Sequence, residues 1–141
     1  MKVFFDTSVL VAAVLVSHPQ HHRSLAVFAG ADRKTACCAA HTLAEVYASL
    51  TRMPGQQRVR SDQALLFLDE VEARLELVLL NAREYRAAIN QAAHNGILGG
   101  TIYDALLGQC ALKAGATRIL TWDIGDFQRL GPEIASKVRT P

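Results

Sequence analysis

Short apolar runs alternate with helix-patterned segments along the whole chain, and that alternation leaves few folds open. Lys2 to Phe5, Thr35 to Ala40, Leu75 to Leu80 and Arg118 to Thr121 read as strands, and Ile134 to Val138 as a last edge strand. Between them, helices are expected over Ser8 to Val16, His21 to Ala29, Thr42 to Arg52, Ser61 to Arg74, Glu84 to Asn95 and from Thr101 to about Ala114-Gly115. Ser61 is a natural N-cap, and Asn95-Gly96 a natural stop. Strands separated by helices pair in parallel and need cover on both faces. The expected class is α/β: three layers, helix on sheet on helix, with a central parallel sheet of four or five strands. The 141 residues suit a single domain spanning 1–141. Right-handed crossovers then bring every strand's carboxyl end to one edge.

Half the residues are hydrophobic and 20% are charged, enough to bury a core and too apolar for a disordered chain. The three cysteines, with Cys37 and Cys38 adjacent and Cys110 distant, match neither a disulfide framework nor a zinc spacing. Buried free thiols in a reducing compartment are expected. The apolar amino terminus raises the question of a signal peptide, but Asp6 interrupts it and Val9 to Val16 is too short to span a membrane. A cytoplasmic protein with no membrane segment is expected.

Four acids stand where an apolar segment gives way to a polar or helical one: Asp6, Glu45, Asp104 and Asp123, with Asp126 three residues beyond the last. Ligands of open α/β sheets bind at the carboxyl ends of the strands. Each acid also has a local explanation. Asp6 can cap the next helix, Thr101-x-x-Asp104 matches a capping box, and Asp123 or Asp126 can cap a turn. Glu45 can be a solvated residue opposite the stripe of Leu43, Val46, Tyr47 and Leu50. Taken together, they repel one another unless a cation joins them. Thirteen Asp and Glu face 15 Lys and Arg. If five acids share one place, the remaining surface is basic, which suits a polyanion reaching an acidic site. Oxygen-only ligands favour Mg²⁺, or Mn²⁺, over zinc. Such ions support in-line hydrolysis of a phosphodiester.

The segments FFDTSVLVAA, LAEVYASLTRMPG, IYDALLGQCALKAGAT and ILTWDIGDF, in that order and spacing, resemble PIN-domain ribonucleases, in particular the VapC-type toxins of bacterial toxin–antitoxin systems. The resemblance covers nearly the whole chain. It implies a PIN-like fold and a metal-dependent endoribonuclease with Asp6, Glu45, Asp104 and Asp123 as catalytic acids. Asp6, Asp104 and Asp123 would hold the metal. Many relatives carry Asn at the position of Asp123, so Asp126 is the alternative fourth acid. Asp123 is preferred because it lies nearer the strand end. Thr7, Ser8 and Thr121 would orient carboxylates through their hydroxyls, with Asp126 beside them. The resemblance also implies an RNA substrate, a cognate antitoxin and a homodimer. His41 stands where many relatives have Ser, and it either touches substrate or is a neutral helix residue.

Arg52, Arg58 and Arg60 flank the Met53-Pro54-Gly55 break and can grip RNA phosphates. Trp122 and Tyr103 each adjoin a candidate acid and can stack on a base. His18, His21 and His22 read as a solvated helix start rather than a metal site. The stripe on the Glu45 helix and the Ser61 to Arg74 helix offer surfaces for a partner. Two other functions fit part of the pattern. A phosphatase of the haloacid dehalogenase type also places Asp after its first strand, but requires a second Asp where this chain has Ser8. A PIN-like module that binds RNA or protein without cutting needs no such set of acids.

Overall fold

The bulky run at the amino terminus splits its side chains between two cores, as a central strand should. The computed structural model describes all residues, 1–141. Strand β1 (Lys2–Phe5) is followed by α1 (Thr7–Val14), α2 (His21–Ala29), β2 (Ala36–Ala39) and α3 (Ala40–Thr51). A 3₁₀ turn (Gly55–Gln57) then leads to α4 (Ser61–Arg74), β3 (Glu76–Val78), α5 (Ala82–His94) and α6 (Thr101–Lys113). The chain closes with β4 (Ala116–Leu120), α7 (Ile124–Gln128), α8 (Pro132–Ala135) and β5 (Val138–Arg139).

All five strands are parallel, in the order β3-β2-β1-β4-β5. Phe4, Cys37, Val78 and Ile119 enter one core with α6 and α8. Phe5, Cys38, Leu77 and Leu120 enter or pack against the other with α1, α3 and α4. Alternation along each strand thus produces a three-layer α/β/α arrangement. The chain leaves β1 toward β2 on one side and returns to β4 on the other. The order therefore reverses between β1 and β4, the crevice where doubly wound sheets bind ligands.

Helix ends follow local chemistry. Asn81 and Glu84 form a reciprocal capping box at the start of α5. Gly96 and Gly115 take φ of 73° and 70° just past α5 and α6, where a side chain would be strained. On α6, a Cβ at Gly108 would meet Ile134 Cδ1 at 2.6 Å, so glycine is what lets α8 pack against it. The three cysteines are free and buried, and burial pushes Cys38 up to about 12, leaving no reactive thiolate. No helix is long and apolar enough to cross a membrane.

Several expectations are corrected. Ser61 is the first residue of α4, and the cap is Arg60 with no side-chain bond. The box expected at Thr101 and Asp104 is absent: Gly100 caps α6 without a side-chain bond. Ile134 belongs to α8 because Pro132 starts a helical turn there, so β5 is only two residues. The apolar run Leu75 to Leu80 outlasts its strand, and Leu79 is 67% exposed. Tyr47 is exposed, whereas Val46 and Leu50 are core, so the stripe on α3 is not a free surface. His21 is buried, its Nδ1 2.9 Å from the Ala12 carbonyl.

The Thr42 hydroxyl is fully buried and has no partner. Replacing it with the isosteric methyl of Val should remove that desolvation cost. Thr42→Val is expected to raise stability by about 1 kcal/mol in urea melts. A loss of stability would mean that the hydroxyl is satisfied.

Candidate metal site at the sheet edge

Asp6 follows directly on β1 and is 4% exposed. Its backbone N–H donates to the Leu120 carbonyl at 2.9 Å, which pins it beside the end of β4. Its side chain accepts from Ser8 Oγ at 2.7 Å, Thr121 Oγ1 at 2.8 Å and, at 3.4 Å, the Ser8 N–H. All three donors reach Oδ2. Oδ1 accepts none, which leaves it open to a ligand. The cap expected of Asp6 is therefore present, and it leaves half the carboxylate free.

The hydroxyls knit the two strand ends together. Thr121, fully buried, accepts from the Asp123 N–H at 2.9 Å and lies 3.3 Å from Ser8 Oγ. Ser8 Oγ accepts from the Trp122 N–H at 3.0 Å. On α3, Glu45 accepts from Thr7 Oγ1 at 3.1 Å. The three hydroxyls singled out in the sequence thus each donate to a candidate carboxylate.

Asp104, Asp123 and Glu45 have no ion pair with Lys or Arg. Asp123 starts α7 but makes no side-chain cap bond. Of the acids considered, Asp126 alone has an ion pair, with Arg129 at 3.4 Å. Burial pushes Asp104 up to about 6, helped by the negative charges of Asp126, Asp6, Glu45 and Asp123. Burial also raises Asp123, reinforced by Asp6 and Asp126. Burial raises Glu45 too, against the opposing effects of the Thr7 hydroxyl and His41. The other four acids therefore all lie within electrostatic reach of Asp104, as a cation-binding edge requires. They are not drawn into a closed ligand set, since no three acidic, histidine or cysteine side chains form one. An open group of this kind suits Mg²⁺, which keeps several waters and takes only one or two protein carboxylates.

The expected basic residues divide. The Arg60 fork is held by Asp62 at 2.9 and 3.2 Å, and Arg58 donates to the Met53 carbonyl. Arg52 is exposed and unengaged. Sequence order hides another cation. Arg23 on α2 lies 5.5 Å from the Trp122 ring centroid, next to Asp123. Trp122 itself is anchored by Nε1 donating to buried Ser24 at 2.8 Å, so its indole is structural rather than a free stacking surface. An apolar cavity beside the acids, bordered by His41 and Tyr103, also had no signal in the linear order.

Asp104 binds its proton more tightly folded than unfolded. Stability is therefore highest where that proton is bound, and falls as pH rises from its ordinary 3.8 through about 6. Without metal, the melting temperature should be higher near pH 5 than near pH 7. Asp104→Asn should flatten that difference and raise metal-free stability at pH 7 by roughly 1 kcal/mol, after allowance for solvent screening. Denaturant melts in EDTA at both pH values check this. A loss of stability in the variant would show that the carboxylate serves the fold.

Comparison with known proteins agrees with this geometry. The PIN-domain family model matches residues 3–131. Ribonuclease VapC40 of Mycobacterium tuberculosis is 32% identical over 132 residues, covering 92% of this chain and 94% of its own. Ribonuclease VapC27 of the same species is 36% identical over 109 residues, covering 77% and 75%. Among solved structures, VapBC2 from Rickettsia felis, bound to a DNA fragment from their promoter, aligns at a TM-score of 0.66 and 20% identity over 99% of this chain and 98% of that one. Parallel strand order, acids at the switch point and these likenesses agree: the chain belongs to the PIN-domain family, among the VapC ribonucleases.

Proposed function

We propose that this chain is a Mg²⁺-dependent endoribonuclease, able to use Mn²⁺, that acts as the toxin of a toxin–antitoxin pair. The observation that carries the reading is the buried Asp6 carboxylate. One oxygen is fixed by two hydroxyls, and the other is left bare beside unpaired acids. Asp6, Asp104 and Asp123 would hold the cation, one or two of them directly and the rest through its waters. When bound, it would offset the charge of the scissile phosphate and make a coordinated water easier to deprotonate. Ser8 and Thr121 fix the Asp6 carboxylate, and Thr7 fixes Glu45. Glu45, half-buried and raised by that burial, is suited to accept a proton from the attacking water. Arg52, exposed and unengaged, and Arg23, over the Trp122 ring, are cations that would meet RNA phosphates. Arg60 would not, because Asp62 occupies its fork.

A cognate antitoxin and a second copy of the chain complete the proposed assembly. Leu65 and Leu66 on α4, 55% and 66% exposed, form an apolar pair available to a partner. The phosphatase alternative loses support from Ser8. Its hydroxyl donates to Asp6, where that chemistry needs a second acid.

Purified protein with total RNA should release defined cleavage ends in Mg²⁺ or Mn²⁺ and none in EDTA. Asp6→Asn and Asp104→Asn should abolish cutting. Ser8→Ala and Thr121→Val, which only orient Asp6, should lose about 10- to 100-fold. RNA that is bound but never cut, in either metal, would favour a non-cleaving module.

A further inference from the structure

We propose that the cavity beside the acids is a pocket for one unstacked RNA base flanking the scissile phosphate, with Tyr85 and Tyr103 as its specificity-determining walls. This rests on the nuclease reading and extends it to how the site chooses where to cut. The cavity, about 150 Å³, lies between the carboxyl ends of β2 and β3 and the facing helices α5 and α6. Its floor is apolar, from Ala39, Val78 and Leu107, and its rim carries His41, Tyr85 and Tyr103.

Position ties the pocket to the acids. Tyr103 directly precedes Asp104, and Leu107 follows it by one helical turn on the same helix. His41 precedes Glu45 by one turn of α3, about 5.4 Å along the axis. It is also close enough to act on the charge of Glu45. A nucleotide with its phosphate at the acids can therefore turn its base into this cavity.

Chemistry fits the same occupant. A base has two apolar faces and a polar edge, and single-stranded bases are held by stacking on aromatic side chains. Tyr85 and Tyr103 remain 46% and 59% exposed, although the apolar floor lies beside them. Leu79, 67% exposed, extends the apolar wall past the end of β3. A flipped base would cover what the fold leaves open, and the tyrosine hydroxyls and His41 can read its edge.

The test uses short single-stranded RNAs containing a site that the wild-type chain cuts in Mn²⁺, each remade with one abasic residue at a position flanking the cut. One position should lower wild-type kcat/KM about tenfold. In Tyr103→Leu and Tyr85→Leu that penalty should shrink to about twofold or less, while Mn²⁺ still raises the melting temperature. Two variants on separate helices guard against one that fails to fold. A full abasic penalty in both variants overturns the proposal. If the variants also convert a dimer to a monomer by light scattering, the rings belong to a contact between copies. Release from a co-purified protein partner at an unchanged penalty would assign them to that partner. A wild-type chain that cuts no RNA in Mg²⁺ or Mn²⁺ removes the pocket together with the nuclease reading. Intact cutting with base-independent kinetics removes the pocket alone.

Discussion

One carboxylate organises the functional edge of this molecule. Asp6 is placed by β1 at the point where the sheet reverses direction, and its backbone is tied to the end of β4. Two hydroxyls, one from each side of that seam, converge on the same oxygen. The result is a fixed anion with one oxygen free of protein hydrogen bonds. No Lys or Arg pairs with it, and the other acids add negative charge around it. A divalent cation is the partner that such a set of oxygen donors favours.

The same electrostatics separates the possible functions. A scaffold that only bound RNA or protein would be more stable with these acids neutralised, and its cleft would gain from positive charge. A phosphatase would need a proton donor at Ser8, whose hydroxyl instead serves Asp6. The hydroxyls make sense if the carboxylates must be held rigid for something that arrives later. The loosely gathered acids also make sense if the arriving ion keeps much of its own water.

Much of the fold could be read because strand and helix periods are written in short, clean segments. FFDTSV announces a strand that ends in an acid, and the alternating two-core burial of Phe4 and Phe5 follows from period alone. The differences share a cause: local pattern carries no tertiary context. Ser61 and Thr101 look like caps in sequence, yet each sits one residue inside its helix. The Leu75 to Leu80 run looks like one strand, yet Leu75 caps a helix and Leu79 projects past the sheet. The Asn81-x-x-Glu84 box was legible, but the helix was expected to start at Glu84 itself. Asp6 and Asp123 could be identified because each stands between a strand and a helix, and Asp104 because it lies in the first turn of α6; Glu45, in the middle of α3, was legible only through the family motif. The Arg23–Trp122 contact and the pocket between Tyr85 and Tyr103 could not, because the first joins α2 to the segment after β4 and the second gathers elements brought together only by the crossovers.

If Asp6 and its neighbours share a cation at the switch between β1 and β4, crystals grown with Mn²⁺ should reveal it by anomalous diffraction. A peak is expected about 2.1 Å from the bare oxygen of Asp6, with a second ligand from Asp104 or Asp123. A fully occupied ion elsewhere on the surface, with Asp6 untouched, would contradict it.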